Sequence, residues 1–155
     1  MPRSAIEILD DPKYAPQVKP LPDGTPWGPL GAPMLISTPR EIYVLMASVP
    51  KGKVLVVNDM RSYLAQKHAA AVTCPLTTGI FINICSRAAE EFDGLGRERI
   101  AWWRTVKKDG LLNEKAPGGV KAHYALLENE GHSFAPKGKS NWRVSNLEHV
   151  RYLPE

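Results

Sequence analysis

Two cysteines and four histidines are the side chains of this chain that could support nucleophilic or metal chemistry. Cys74 precedes Pro75 at the expected start of a helix, where the helix dipole favours a thiolate. The spacing of the histidines places no general base beside Cys74, so nucleophilic catalysis by this thiol is kept only as an alternative. Cys85 falls on an apolar helical stripe and is expected in the core. No histidine has metal-ligand spacing from a cysteine or an acid, so we predict no metal site and no cofactor.

Trp102, Trp103 and Arg104 bring two aromatic rings next to a cation. An indole cannot replace a thiolate as a nucleophile. Its ring can stack on a nucleic-acid base, a contact worth roughly 1–3 kcal/mol. A different interpretation is that a pair of tryptophans before a strand anchors the hydrophobic core. For Arg104 we expect an ion pair, with Glu130 as its partner.

The net charge of +4 comes from the part of the chain after residue 39, because residues 1–39 hold three basic and four acidic side chains. Lysines of the predicted loops and wing include Lys51, Lys53, Lys107 and Lys108, together with the run Lys137-Gly138-Lys139. Each DNA phosphate that a lysine neutralises adds a salt-dependent increment to binding. Any one of them is equally explained as a solvated loop side chain. As a set that flanks two predicted helices, they favour DNA contact.

Three helices are predicted in the middle of the chain. Thr38 and Glu41 form a capping box, with proline at the first helical position between them. Asn58 is expected to cap the second helix, and Pro75 opens the third. The third helix carries an apolar stripe at spacings of three and four, which is expected to face the core. Its members are Leu76, Ile80, Phe81, Ile84, Cys85, Ala88, Ala89 and Phe92.

A β-hairpin is predicted at Asp109-Gly110, after the third helix. Helix, turn, helix and hairpin indicate a fold that is mainly α with a small β hairpin, in the form of a winged helix-turn-helix-like domain at residues 37–155. Residues 1–36 contain eight prolines, which resist both helix and sheet, and are predicted to form an extended arm. Apolar residues in this arm suggest that it packs against the domain, while docking to a partner protein is the alternative.

In a helix-turn-helix, the first turn of the second helix approaches DNA. Here the candidate contact residues of that turn are Pro75, Leu76, Thr77, Thr78 and Gly79, and Asn83 follows them on the exposed side. Short side chains permit a close approach to the duplex, and the threonine hydroxyls suit phosphate oxygens. The competing interpretation is an ordinary capped helix that packs through its apolar stripe.

Between residues 38 and 132 the chain carries an ordered series of short landmarks. They are Thr38-Pro39, Val49-Pro50-Lys51-Gly52-Lys53, Asn58-Asp59-Met60, Pro75, Trp102-Trp103-Arg104-Thr105-Val106, Asp109-Gly110, Gly118-Gly119 and Glu130-Gly131-His132. None is specific alone. In this order and spacing they resemble the DNA-binding domain of the alkylguanine-DNA alkyltransferases.

The resemblance implies a DNA-binding domain that lacks the family's reaction. The alkyl-accepting cysteine of the family falls at Trp102, and the histidine that activates it falls at Trp103. Of this relay only the carboxylate, Glu130, remains, so we predict no catalytic residue. Alkyltransferase-like proteins also have tryptophan at the acceptor position. Resemblance to them implies a pocket for an altered base formed by Trp102, Trp103, Arg104 and Glu130.

The chain departs from the family in the parts that extrude a base. The arginine that fills the gap left by the extruded base falls at Gly79, and the tyrosine that moves a phosphate falls at Val57. An insertion around Asp93-Gly94-Leu95-Gly96 replaces the hinge asparagine. Leu76 is a candidate to act instead as an apolar wedge in the minor groove.

These features together predict a non-enzymatic alkyltransferase-like protein that binds double-stranded DNA, senses alkylated guanine and supports DNA repair. The implied partners are duplex DNA, alkylated or not, and a repair protein. A cytoplasmic location without a membrane is expected, since the chain shows neither a signal peptide nor an apolar run that could span a bilayer. The alternative is a winged-helix protein-interaction module with nonspecific or no DNA binding, in which both tryptophans are core residues.

Overall fold

The computed structural model of the protein describes residues 3–23 and 25–155. The helices in this part of the chain are α1 (Ala5–Leu9), α2 (Pro39–Ala47), α3 (Val57–Lys67), α4 (Pro75–Gly94), α5 (Gly119–Glu128) and α6 (Leu147–Val150). The strands are β1 (Gln17–Pro20), β2 (Pro33–Ile36), β3 (Leu55–Val56), β4 (Val72–Thr73), β5 (Thr105–Val106), β6 (Phe134–Lys137) and β7 (Asn141–Val144). The described strands form small sheets in the orders β1-β2-β4, β3-β5 and β6-β7. Among these helices, none has both the length and the apolar character needed to cross a membrane.

The start of α2 confirms the predicted cap. Thr38 Oγ1 accepts a hydrogen bond from the Glu41 amide at 3.1 Å, and Pro39 occupies the first turn, where its missing N–H has no helical partner to lose. The Glu41 carboxylate does not complete the box; it accepts from Ser37 Oγ at 2.6 Å and lies 2.8 Å from His68 Nε2. Burial raises the pKa of Glu41, but these hydrogen bonds outweigh it and the pKa is lowered. A charged carboxylate therefore joins the start of α2 to the end of α3.

α4 packs against α1 and α2, and only part of its predicted stripe is buried. The buried members are Phe81, Ile84, Cys85, Ala88 and Ala89. Leu76 and Ile80, by contrast, are 64% and 55% exposed, so the prediction that they face the core is wrong. Thr78 and Ile82 take the buried positions in the first two turns. The neighbouring helices cover that side of α4, and the side that carries Leu76 and Ile80 faces an open cleft.

The N-terminal segment packs on the domain and is less extended than predicted. Its helix, α1, buries Ala5 and Leu9 in the main core. The Glu91 carboxylate of α4 accepts hydrogen bonds from the amides of Ala5 at 2.9 Å and Ile6 at 3.1 Å, which caps α1. β1 pairs antiparallel with β2, and β2 pairs parallel with β4, just before α4. A division of the chain at residue 36 stays a prediction.

The β-hairpin lies at β6–β7, and not at Asp109-Gly110 as the sequence predicts. β5 pairs parallel with β3. A hairpin at Asp109-Gly110 would instead need β5 to pair antiparallel with a strand directly after this turn. The residues after it close a tight loop, in which the Lys107 amide donates to the Leu111 carbonyl at 2.8 Å. Asp109 and Gly110 both have positive φ in this loop, 59° and 82°, as the tight reversal requires. The loop directs the following residues towards β7.

The main hydrophobic core joins α1, α2, α3, α4 and α5 to the β3–β5 pair. Its largest completely buried side chains include Leu9, Leu35, Ile42, Met46, Leu55, Met60, Leu64, Leu112 and Leu127. Asn58 does not cap α3, because the helix begins at Val57 directly from β3 without a side-chain cap. This direct exit from the strand fixes the first turn of α3 beside β5, where the candidate site lies.

Candidate nucleic-acid interface

A cleft of about 600 Å³ runs along the exposed side of α4. One wall is the helix itself, through Pro75, Leu76, Gly79, Ile80 and Asn83. The other wall comes from the first turns of α3, from β5 and from the segments that follow β5. Because β3 and β5 are neighbours in one sheet, Val57 and Val106 lie together on this second wall. The volume is in the range of ordinary ligand-binding clefts, roughly 300–1,000 Å³.

The α4 wall combines apolar side chains with open space. Leu76 and Ile80 are four residues apart, so they lie on the same face of the helix. A Cβ atom added at Gly79 would meet no heavy atom within 4 Å. The helix therefore presents two exposed aliphatic side chains beside a position where a flat group can approach its backbone closely.

Cations outnumber acids among the side chains that line the cleft. Arg61, Lys107, Lys108 and Lys115 are basic, and Glu114 is the acid in the same lining. Lys107 and Lys108 are exposed and form no ion pair with any described residue. A cleft lined mainly by one sign of charge attracts ligands of the other sign, here anions such as phosphate.

Asn113 joins the two walls of the cleft. Its Nδ2 donates to Asn83 Oδ1 on α4 at 2.9 Å, and its Oδ1 accepts from the Lys115 amide at 2.9 Å. Its backbone amide donates to His123 Nδ1 at 3.1 Å, which leaves His123 Nε2 to donate to the Trp103 carbonyl at 2.8 Å. These contacts position the segment that carries Lys115 against α4.

His123 is completely buried in α5 and is neutral in this arrangement. Burial lowers its pKa to about 4, and the hydrogen bond to the Trp103 carbonyl opposes this only in part. A neutral ring with one acceptor nitrogen and one donor nitrogen fits both of its partners. His123 therefore holds the Trp103 carbonyl and the Asn113 amide in place on its two sides.

Trp102 and Trp103 lie in the core, with exposures of 2% and 9%. Trp102 Nε1 donates to Glu90 Oε2 at 2.7 Å, and the two indoles meet edge to face at a centroid distance of 5.9 Å. Neither indole belongs to the described residues that line the 600 Å³ cleft. The expected base pocket of Trp102, Trp103, Arg104 and Glu130 is therefore not an open pocket, because the end of α4 and α5 cover the rings.

Arg104 forms the expected ion pair with Glu130, with Nη2 2.6 Å from Oε2. Its Nη1 also donates to the Val49 carbonyl at 2.9 Å, after the end of α2. Burial raises the pKa of Glu130, but hydrogen bonding from Arg104 lowers it overall. The Trp103 N–H does not reach full hydrogen-bond geometry with any described atom. The pair links two segments of the core and leaves no free cation for a base.

The hydroxyls of both threonines in the first turn of α4 are buried. Thr78 is 1% exposed, and its hydroxyl donates to the Cys74 carbonyl at 2.7 Å. The Thr77 hydroxyl is also buried. For Thr78 the prediction that its hydroxyl meets a DNA phosphate is wrong, because this hydroxyl bonds to the carbonyl four residues earlier. The Thr77 hydroxyl has no hydrogen-bond partner among the described atoms, and its contact with DNA stays a prediction.

The two thiols are buried and lie away from the cleft lining. Cys74 is the residue before α4, and Cys85 Sγ donates to the Pro39 carbonyl at 3.2 Å. Burial raises the pKa of the Cys85 thiol far above its usual range. A neutral, enclosed thiol is a poor nucleophile, and Cys85 is therefore a core residue.

Lys51 and Lys53 lie outside the cleft lining, in the connection between α2 and β3. Both are exposed, and Lys53 Nζ donates to the His149 carbonyl at 3.0 Å. Sequence reasoning missed Arg61, Asn113 and Lys115. The signal for Arg61 was its spacing of four residues from Val57, which places both on one face of α3.

The fold is similar to that of S. pombe Atl1 in two crystal structures. One is the complex with damaged DNA containing O6-carboxymethylguanine, with 16% sequence identity and a TM-score of 0.51 over 75% of this chain and 94% of that chain. The other is a complex of the S. pombe ATL with DNA, with 15% identity and a TM-score of 0.50 over the same shares of the two chains. No family model and no curated protein sequence matches this chain. At this identity the likeness shows a shared fold.

Proposed function

We propose that this protein is a non-enzymatic, alkyltransferase-like DNA-binding protein that senses alkylated guanine and supports DNA repair. The observation that carries the proposal is the basic cleft along the exposed face of α4, with Leu76 and Ile80 on its apolar wall. The fold shared with S. pombe Atl1, whose structures contain DNA, supports it. In this proposal α3 and α4 form the helix-turn-helix and β6–β7 forms the wing.

DNA binds with α4 in a groove of the duplex. Lys107 and Lys108, on the opposite wall of the cleft, contact backbone phosphates on one side of that groove. Leu76 and Ile80 press against the base steps and partly unstack them, as apolar wedges do in the minor groove. The missing side chain at Gly79 lets the duplex approach the helix backbone.

An altered base that leaves the stack enters the cleft between α4 and the segment held by Asn113. Because the indoles of Trp102 and Trp103 are enclosed, the base contacts the aliphatic wall of the cleft instead of stacking on a tryptophan. Alkylation weakens base pairing and therefore lowers the cost of extruding the base. Without a thiol in the cleft lining, binding leaves the lesion chemically unchanged.

Matched pairs of lysine substitutions test this proposal. Lys107→Gln/Lys108→Gln removes two charges from the cleft, and Lys51→Gln/Lys53→Gln removes two outside it. Affinity is measured by fluorescence anisotropy from about 50 to 200 mM salt, with plain and O6-methylguanine duplexes. We expect the cleft variant to reduce the slope of log K against log salt by about 2, and the other variant to reduce it less.

Three results of that titration argue against the proposal. An equal decrease of the salt slope in the two double variants would show that the cleft is not the DNA site. Equal affinity of the wild-type protein for both duplexes would remove the damage-sensing role. Absence of salt-sensitive binding would leave the protein-interaction module, for which the exposed Leu76 and Ile80 are the natural contact surface.

A further inference from the structure

Arg61 differs from the paired arginines of the protein. It lies in α3, lines the cleft and is partly buried, yet no described carboxylate is within 4.0 Å of its guanidinium. Five other arginines do have such partners: Arg3 with Asp11, Arg40 with Asp10, Arg99 with Glu90, Arg104 with Glu130 and Arg151 with Asp59. A partly desolvated cation without an anion costs free energy that a bound anion would offset.

The guanidinium of Arg61 is held in one orientation. Its Nε donates to the Thr73 carbonyl at 3.0 Å, and the Thr73 hydroxyl donates back to the Arg61 carbonyl at 2.7 Å. Thr73 ends β4, two residues before Pro75. The guanidinium therefore lies at the end of the cleft that is nearest the start of α4. Within the described residues neither Nη atom donates a hydrogen bond. Four N–H groups in a fixed plane are therefore free for a ligand.

We propose that Arg61 binds a backbone phosphate of the DNA that occupies the cleft. The planar fork of a guanidinium matches two oxygens of one phosphate, which fits a group fixed at Nε with both Nη atoms free. The proposal rests on the proposed function. It assigns a phosphate contact to α3, on the wall of the cleft opposite Leu76 and Gly79.

The position of Arg61 has a consequence for how DNA is held. The apolar wall formed by Leu76 and Ile80 offers no charge, and Lys107 and Lys108 are exposed point charges on the other segment. Arg61 is the cation of the cleft lining that a backbone hydrogen bond locks in place. It therefore sets the position of one phosphate relative to α4, whereas the lysines contribute mainly to overall attraction.

A combined protein and DNA substitution tests the contact. Arg61→Met, Arg61→Lys and wild-type protein are titrated with duplexes in which one phosphate at a time is replaced by a neutral methylphosphonate. We expect one position at which the replacement weakens wild-type binding about tenfold but leaves Arg61→Met binding unchanged. Arg61→Met should also lower the salt slope by about 1, while Arg61→Lys keeps the slope with reduced affinity. Arg40→Met, on α2 and paired with Asp10, is the matched control and should behave as wild type.

The outcomes separate this inference from the proposed function. If wild-type protein binds duplex DNA and Arg61→Met retains both its affinity and its salt slope, the inference is wrong and the proposed function stands. If wild-type protein shows no salt-sensitive binding, both are overturned. A further outcome is that Arg61→Met binds more weakly than wild type by the same factor at every methylphosphonate position. That result would indicate that Arg61 acts in folding or in base contact, and it would also overturn the phosphate assignment. Thermal unfolding of each variant confirms that folded protein is compared.

Discussion

Asn113 Nδ2 donates a hydrogen bond to Asn83 Oδ1 at 2.9 Å across the cleft, and so ties the exposed side of α4 to the segment that carries Lys115. Asn113→Ala removes this bond and the one to the Lys115 amide. We expect a loss of about 1–2 kcal/mol in the free energy of unfolding, because each net hydrogen bond contributes about 1 kcal/mol. Amide hydrogen exchange at residues 113–116 should become faster. Asn129→Ala, at the exposed end of α5, is the control. An equal loss of stability and equally faster exchange at residues 113–116 in this control would contradict the role given to the Asn113–Asn83 hydrogen bond.

His123 makes stability depend on pH. Its pKa is lowered from 6.5 to about 4 in the folded protein, mainly by burial, so between these values the unfolded chain binds the proton and the folded protein does not. Stability from this group is therefore complete above about pH 6.5 and is lost as the pH falls towards 4. The loss is about 3 kcal/mol. Urea unfolding between pH 4 and 7.5 measures it.

Two variants serve as references for the pH experiment. His123→Gln cannot take up a proton, so the slope of unfolding free energy against pH should decrease in this range. His149→Gln, at an exposed histidine, is the control for removal of an imidazole. A wild-type slope retained in His123→Gln would assign the pH dependence to other groups.

Trp102→Leu distinguishes a core indole from a base receptor. The substitution keeps an apolar side chain but removes the ring and its hydrogen bond to Glu90, so we expect a destabilisation of about 3 kcal/mol. Below its unfolding temperature, the variant should keep the wild-type ratio of affinities for O6-methylguanine and plain duplexes. If this ratio drops to one in protein shown to be folded by circular dichroism, the buried indole takes part in lesion recognition after all.

Leu76→Ala/Ile80→Ala should separate binding from stability. Both side chains are mainly exposed, so the free energy of unfolding should change by no more than about 0.5 kcal/mol per site. DNA affinity should fall at least about tenfold, because the apolar wedge is lost. Val44→Ala on α2 removes a comparably exposed aliphatic side chain outside the cleft and is the control. Affinity equal to wild type in the double variant would exclude a wedge.

Local sequence patterns predicted the caps and faces of single helices better than the contacts between elements that are distant in the chain. The Thr38 cap and the buried half of α4 followed from spacing alone, because both depend on residues within a few turns of one helix. The hairpin was misplaced since two positive-φ residues at Asp109-Gly110 suit a tight loop as well as a hairpin. Only the pairing of β5 with β3, 50 residues earlier in the chain, decides between the two.

The sequence by itself determined which residues share a helix face, that Arg104 would find an acid, and that the excess positive charge lies after residue 39. The tertiary structure decided which faces are covered. It enclosed Trp102 and Trp103, exposed Leu76 and Ile80, and brought Arg61 into the cleft without an anion. The physical reason is that periodicity orders side chains around one axis, whereas burial depends on which distant elements pack against that axis.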